Sequence, residues 1–230
     1  MEARRQHRLI DTLEPGDIPA DAPTAYTIQH EALREADARI GAPIDASLVH
    51  ASPARLPFDA FFRVLVELEI AFRFSYALPP RAAILTCAMK YWGAIGRMAV
   101  ALEVVDSRFA QWPNLDPLAQ LADSQNNGAL VVSGMEPYET IAPGFDFLAP
   151  RLEFTLDGLS IAPEALGNPA GDPRELLVWL VNHCSRMGLT VEPFWIITTG
   201  SYGWVRIGSK DPPMVHGSID RVGELELVLS

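Results

Sequence analysis

The chain has 230 residues, of which 49% are hydrophobic and 20% are charged. This apolar content excludes a disordered chain, and the length predicts one large domain, alone or with an appendage. The formal charge of −11 argues against nucleic acid as a partner, because contacts to phosphate need clustered lysine and arginine.

The N-terminal segment is charged and is not followed by the apolar run of a secretory signal. No stretch approaches the roughly 18 uninterrupted apolar residues of a membrane span. Cys87 and Cys184 lie in apolar sequence, and two cysteines form neither a disulfide scaffold nor a zinc site. We therefore expect a cytoplasmic protein, with no membrane partner and two buried free thiols.

The first part of the chain predicts little regular structure. Residues 1–23 are polar and proline-rich, which is typical of a loosely held arm. Apolar residues at helical spacing predict a helix over 24–40 with Thr24 as its N-cap, and residues 41–57 are irregular. We therefore treat 1–57 as an N-terminal arm and helix, and 58–230 as the main domain.

Hydrophobic periodicity over the main domain predicts strands and helices in mixed order. The predicted strands are 61–74, 98–105, 128–133, 194–199 and 224–229, with a hairpin at 151–162 and a Gly-rich tract before the last strand. Helices are predicted over 81–97, 116–121 and 172–187, the last bounded by Asp172, Pro173 and Gly188. Because strands and helices do not alternate strictly, an α+β or mainly-β domain is favoured over a doubly wound sheet.

Three carboxylates stand out against this apolar background. Residues two apart share one face of a strand, so Glu67 and Glu69 point the same way, about 6–7 Å apart at the backbone. Glu103 is a lone acid in a second apolar strand. Neighbouring carboxylates in a low-dielectric cleft resist ionisation, and a divalent cation removes that conflict. Three carboxylates without histidine or cysteine indicate Mg²⁺ or Mn²⁺.

The same spacing has a second interpretation. A Glu-x-Glu pair is also typical of a half-exposed edge strand, and Glu224 and Glu226 repeat the pattern near the C-terminus. Strand periodicity alone does not separate the two pairs. Similarly, the tract from Thr198 to Ser201 could bind a carboxylate through hydroxyls and backbone N–H groups, or form an ordinary turn.

Several short segments over about residues 60–230 together resemble a known enzyme family. They are Val66–Phe72, Leu78–Arg81, Ala101–Arg108, Leu121–Asp123, Asn127–Ala129, Gly167–Pro173, Ile197–Ser201 and Val222–Leu227. In this order they resemble the 2-keto-4-pentenoate hydratase / 2-oxo-3-hexenedioate decarboxylase family of the fumarylacetoacetate hydrolase-like superfamily. The resemblance implies a mixed β-roll or sandwich with peripheral helices and a reduced N-terminal helical region.

The resemblance also implies a metal site and a substrate class. Glu67, Glu69 and Glu103 match the family's metal ligands, and Mg²⁺ or Mn²⁺ there would chelate the carboxylate and 2-oxo group of a small 2-oxo acid. The implied reaction is addition of water to a 2-hydroxy-2,4-dienoate in the catabolism of aromatic or related compounds. The alternative is decarboxylation of a 2-oxo-3-enedioate, by the protein itself or as a subunit. A homo-oligomer is expected on the same ground.

Further site residues follow from the resemblance. Asp106, Asp123 and Ser201 are expected to take part in catalysis, and Thr199, Gly200 and Ser201 are expected to bind substrate. All of them come from the matching segments rather than from spacing.

One departure from the family concerns proton transfer. Relatives carry a Gly-aromatic-Lys-x-Gly segment whose lysine lies at the active site, whereas residues 1–89 of this chain contain no lysine. The only lysines are Lys90 and Lys210, and a shortened segment, Ile40–Val49, stands where the family segment would be. A diverged, catalytically impaired family member is therefore a further alternative.

Overall fold

The computed structural model describes residues 3, 6–34, 44–81, 92–164, 167–208 and 212–230. Its strands are β1 Val49–Ala51, β2 Ala54–Leu56, β3 Val64–Phe74, β4 Ile95–Val105, β5 Asn127–Val132, β6 Glu136–Pro137, β7 Leu152–Leu156, β8 Leu159–Ser160, β9 Ile197–Ile207, β10 Met214–Ile219 and β11 Gly223–Leu229. Its α-helices are α1 Ala22–Arg34, α2 Pro117–Ala122, α3 Tyr138–Ile141 and α4 Arg174–Arg186.

The strands form two mixed sheets. The first sheet has the order β1-β5-β4-β3-β9, with β6 also pairing with β4, and the second has the order β2-β11-β10-β7-β8. Strand β1 pairs with β5 in parallel, as β2 does with β11, and the other pairs are antiparallel. The predicted α+β class is therefore confirmed.

The two sheets pack face to face around one apolar core. Alternate residues of β3 and β4 point inward from the first sheet and meet inward-facing residues of β7, β10 and β11. Gly217 on β10 lies against this contact, since a Cβ there would come within 2.6 Å of Leu68 Cδ1. The predicted inward set of Val66, Leu68 and Ile70 is confirmed, and each of these side chains is completely buried.

The opposite, outer face of the first sheet carries a second, smaller apolar cluster and the glutamates of β3 and β4. The two central strands, β3 and β4, pair over almost their whole 11-residue lengths. On this outer face Ala71, Ala99 and Ala101 form a small apolar cluster with Leu130 and Val132. The glutamates of β3 and β4 continue the same rows of side chains, because residues two apart share a face.

Several predicted boundaries are corrected by the structure. The segment 41–57, predicted to be irregular, contains β1 and β2, which add one parallel edge strand to each sheet. The Gly-rich tract between the last two predicted strands is not a loop, because β9 continues through it to Ile207 and β10 follows. Hydrophobic periodicity did not predict the second half of β9 or β10, because glycines interrupt their apolar pattern. Two of these glycines, Gly203 and Gly217, lie where the two sheets are in close contact.

The N-terminal arm is also more structured than predicted. Ile10 forms a parallel bridge with Phe109, donating its N–H to the Arg108 carbonyl at 2.8 Å and accepting from Ala110 at 3.0 Å. Helix α1 starts at Ala22 rather than at Thr24, since Asp21 accepts the Thr24 N–H at 2.8 Å and so caps the first turn.

The remaining helix predictions have mixed outcomes. Helix α4 confirms the helix predicted within 172–187 and its end before Gly188, which has a φ of +68°, but its N-cap is Pro173 rather than the predicted Asp172. Most of the helix predicted over 81–97 lies outside the described residues, but Ile95–Arg97 belong to β4. Cys87 also lies outside them, whereas Cys184 is a buried free thiol whose pKa burial raises to about 12.

In the part of the chain that the structure describes, no helix combines the length and the apolar character that a bilayer crossing requires.

We predict that Gly128→Ala lowers the free energy of unfolding by about 1–3 kcal/mol. A Cβ at this β5 position would lie 2.6 Å from the Val104 carbonyl oxygen and 2.9 Å from the Asp106 Cβ. Gly134→Ala is the matched control, because nothing lies within 4 Å of its Cβ position. Chemical denaturation measures both variants, and an equal effect of the two substitutions would contradict the close β4–β5 approach.

Candidate metal centre

Three carboxylates from β3 and β4 meet on the outer face of the first sheet. Oxygens of Glu67, Glu69 and Glu103 all lie within 4.8 Å of one another. Glu67 stands directly opposite Glu103 in the antiparallel register, and Glu69 follows Glu67 on the same face, opposite Ala101. The predicted convergence of the three side chains is therefore confirmed, and the group could hold a divalent metal ion.

Burial and mutual repulsion disfavour ionisation of all three groups. Glu69 is only 2% exposed, and burial raises its pKa well above the usual range, with the charges of Glu103 and Glu67 acting in the same direction. Burial raises the pKa of Glu103 to about 7, although a hydrogen bond from Asn127 opposes the shift. Burial also raises the pKa of Glu67, while its hydrogen bond with Ser201 lowers it.

The donor set fits a hard divalent cation. No arginine, lysine or histidine forms an ion pair with these carboxylates among the residues that the structure describes. A cation bound by carboxylate oxygens would compensate the clustered negative charge, and Mg²⁺ and Mn²⁺ prefer such oxygen ligands. The residues present therefore suit the predicted metal.

An irregularity in β9 holds Glu69 in place. The β3–β9 register shifts on both sides of Glu69, and Gly200 adopts a φ of +83°. The backbone N–H groups of Thr199 and Gly200 consequently both donate to Glu69 Oε2, each at 3.1 Å. Asn168 stabilises the outer side of this turn, donating through Nδ2 to the carbonyls of Thr199 at 2.8 Å and Gly200 at 2.7 Å.

Glu103 has its own supporting contact. Asn127 Nδ2, at the start of β5, donates to Glu103 Oε1 at 2.9 Å. Sequence reasoning assigned no role to Asn127 or to Asn168, although both lie in segments that resemble the family. An isolated asparagine carries no spacing signal, so the contact of Asn127 to Glu103 and that of Asn168 to the β9 backbone become visible only when the strands are paired.

The three predicted substrate contacts divide into two kinds. The N–H groups of Thr199 and Gly200 donate to Glu69, and the Thr199 hydroxyl donates to the Ile70 carbonyl at 3.2 Å, so both residues hold the Glu69 carboxylate in position. Ser201 pairs with Glu69 across the strands, is partly exposed and hydrogen-bonds to Glu67. Of these three residues, Ser201 is the one whose side chain hydrogen-bonds to a carboxylate of the cluster, that of Glu67.

The two aspartates predicted to be catalytic make structural contacts. Asp106 is 1% exposed, and its Oδ1 accepts the N–H groups of Phe62 and Arg63 at 2.8 and 2.9 Å. Because β4 ends at Val105, Asp106 lies beyond the strand and fixes the chain just before β3. Asp123 forms an ion pair with Arg108 at 2.7 Å. Neither aspartate belongs to the three-carboxylate group.

The second Glu-x-Glu pair lies in a different environment. Glu224 and Glu226 on β11 are both exposed, and the Glu224 side chain is 80% accessible. Their apolar neighbours, Leu225 and Leu227, point into the core instead. The spacing is the same in the two pairs, and only burial distinguishes the candidate metal ligands Glu67 and Glu69 from the exposed Glu224 and Glu226.

Both lysines of the chain, Lys90 and Lys210, lie outside the described residues.

No protein-family model matches the chain. Its fold is similar to that of 4-oxalocrotonate decarboxylase from Pseudomonas putida G7, complexed with magnesium and adipate, with a TM-score of 0.81 and 15% sequence identity. This match covers 100% of the present chain and 94% of the other.

Two further solved structures share the fold over most of the chain. Fumarylpyruvate hydrolase from Pseudomonas aeruginosa, in complex with Mn²⁺ and pyruvate, has a TM-score of 0.53 and 16% identity, with 81% of this chain and 76% of that chain covered. 5-Carboxymethyl-2-hydroxymuconate delta-isomerase from Mycobacterium smegmatis has a TM-score of 0.55 and 16% identity, with coverages of 84% and 71%. The fold that the resemblance implied is therefore confirmed.

We predict that the metal-free protein loses stability as the pH rises from about 4.5 to about 7, between the unfolded and folded pKa values of Glu103. A carboxyl group whose pKa is raised in the folded state stabilises that state fully below its unfolded pKa, and the contribution is lost as the pH rises through the folded pKa. For Glu103 that folded pKa is about 7. Thermal unfolding across this range measures the loss, and Glu103→Gln should show a smaller pH dependence. An unchanged dependence would contradict the assignment.

We predict that Mg²⁺ raises the unfolding temperature by roughly 5–10 °C at one hundred times its dissociation constant. Glu69→Gln should abolish this shift while leaving the metal-free variant at least as stable, because the amide cannot ionise and keeps an acceptor oxygen for the N–H groups of Thr199 and Gly200. Glu226→Gln, in the exposed pair, is the matched control and should respond like the parent protein. Equal responses of the two variants would show that the metal binds elsewhere.

Proposed function

We propose that this protein is a divalent-metal-dependent enzyme acting on a small 2-oxo acid, with Glu67, Glu69 and Glu103 as the metal ligands. The observation that carries the proposal is the convergence of three largely buried carboxylates without a basic partner among the described residues. Such a group is costly to maintain in a folded protein unless a cation completes it.

The bound cation would supply Lewis-acid chemistry, stabilising negative charge that develops on the oxo oxygen of the substrate. The chain itself supplies the positioning. Thr199 and Gly200 orient Glu69 through their N–H groups, and Asn127 orients Glu103. Ser201 is partly exposed beside Glu67 and Glu69, which supports a role for its hydroxyl in binding a substrate carboxylate.

Two reactions of a 2-oxo acid or its dienol form would use such a site. The first is addition of water to a 2-hydroxy-2,4-dienoate, and the second is loss of carbon dioxide from a 2-oxo-3-enedioate. The similarity over the full chain to 4-oxalocrotonate decarboxylase in complex with magnesium supports the second. Both reactions share charge development at the oxo oxygen, so the same metal site serves either of them.

The missing N-terminal lysine supports a third possibility, an impaired enzyme that retains the pocket. A neutral lysine of lowered pKa can transfer a proton, whereas arginine stays protonated and cannot replace it in that role. Such a protein would bind metal and 2-oxo acid without turnover.

The test combines turnover with binding. The purified protein is incubated with 2-hydroxypenta-2,4-dienoate or 2-oxo-3-hexenedioate, with Mg²⁺, with Mn²⁺ or with a chelator, and products are followed by absorbance, NMR and carbon dioxide release. We expect metal-dependent consumption of one substrate, reduced more than about 100-fold by Glu69→Gln and unaffected by Glu226→Gln.

The outcomes separate the alternatives. Release of carbon dioxide assigns the decarboxylase, and a hydrated product assigns the hydratase. Absence of turnover with metal-dependent binding of pyruvate or oxalate assigns the impaired enzyme. Absence of both turnover and binding would overturn the proposed function.

A further inference from the structure

A tryptophan and an arginine on β9 lie beside the three carboxylates without an assigned role. Trp204 stands directly opposite Glu67 in the β3–β9 register, and directly opposed residues share a face of the sheet. Trp204 is 60% exposed. Arg206 comes two residues later on the same face and is also exposed. The edge strand of the first sheet therefore extends the face of the metal centre towards solvent.

The Arg206 guanidinium is held in position but keeps its donors available. It lies over the Trp112 ring at 5.1 Å, and Arg63 fixes the Trp112 backbone by donating to its carbonyl at 2.6 Å. In the part of the chain that the structure describes, the Arg206 side chain forms no hydrogen bond or ion pair. A planar guanidinium with unoccupied donors suits bidentate binding of a carboxylate.

A positive charge at Arg206 would favour binding of a substrate that carries two carboxylates. Three ionised glutamates around one divalent cation leave a net negative charge, which repels a dianion more strongly than a monoanion. Arg206 offsets this repulsion at the outer end of the site. Trp204, opposite Glu67 and two residues before Arg206, provides an apolar surface for the intervening carbon chain.

The spacing along β9 matches a short dicarboxylate. Residues two apart on a strand are about 6.6–6.8 Å apart. Five carbon–carbon bonds of about 1.5 Å span roughly 6 Å when extended. A six-carbon chain whose 2-oxo acid end binds at the metal centre therefore brings its other end to the level of Arg206.

The other arginines on this face are less suitable. Arg63 donates to the carbonyls of Trp112 and Ala110, so its guanidinium is engaged. Arg73 and Arg97 face each other at the opposite end of β3 and β4. The apolar cluster that includes Ala71 and Ala99 separates them from the carboxylates.

We propose that Arg206, with Trp204 beside it, is a specificity determinant that selects 2-oxo acids with a second carboxylate at the remote end of a five- or six-carbon chain. This inference rests on the proposed function, because it assumes that the 2-oxo acid end binds at the metal centre. It extends that function by assigning the residue that would distinguish the dicarboxylate of the second proposed reaction from the monocarboxylate of the first.

The test compares two ligands of equal length by isothermal titration calorimetry in the presence of Mg²⁺. 2-Oxoadipate has the remote carboxylate, and 2-oxohexanoate lacks it. We expect 2-oxoadipate to bind the parent protein about 10- to 100-fold more tightly, the range of one charge-assisted bidentate contact. Arg206→Gln should remove this preference and leave 2-oxohexanoate binding unchanged, while Trp204→Ala should weaken both ligands.

Arg55→Gln is the matched control, because Arg55 is an exposed strand arginine of the second sheet. It should keep the full preference, and unfolding temperatures without ligand verify that every variant is folded. Equal binding of the two ligands to the parent protein, or a preference for 2-oxoadipate that persists in Arg206→Gln, would overturn the role of Arg206. Neither outcome would overturn the proposed function. Failure of both ligands to bind with Mg²⁺ would overturn the proposed function together with the role of Arg206.

Discussion

The opposition of Glu67 and Glu103 across β3 and β4, with Glu69 buried beside them, is the constraint on which the rest of the structure depends. Three carboxylates whose oxygens lie within 4.8 Å repel one another, and one of them, Glu69, is buried. Their neighbours are arranged accordingly. The turn in β9 aims two N–H groups at Glu69, and Asn127 donates to Glu103. These N–H dipoles reduce the repulsion between the carboxylates but do not remove it. A divalent cation bound between the carboxylates would neutralise most of their charge.

The same two strands also hold the fold together, because their other face carries the core. Val66, Leu68 and Ile70 alternate with the glutamates along β3, so the register that brings the carboxylates together also fixes the inward side chains. A shift by one residue would exchange the two sets. The position of the site is therefore as rigid as the central strand pair, which favours accurate placement of metal ligands.

Strand β9 connects the ligand carboxylates to the proposed recognition of substrate. Its irregular part, around Thr199 and Gly200, supports Glu69, and its regular part presents Trp204 and Arg206 to solvent. In the proposed enzyme one end of the substrate binds the cation and the other meets a guanidinium on the same sheet face. The division between support and recognition follows from the register shifts in a single edge strand.

The sequence by itself determined the features that depend on local period. Glu67 and Glu69 share a face because strand side chains alternate, and the same alternation placed the core residues of β3. Only tertiary structure decided that Glu103 faces Glu67, that Glu224 and Glu226 stay solvated, and that β10 completes the second sheet. The alternation of side chains along a strand depends on residues that are adjacent in sequence. Burial and register depend on which strands, distant in sequence, pack together in the fold.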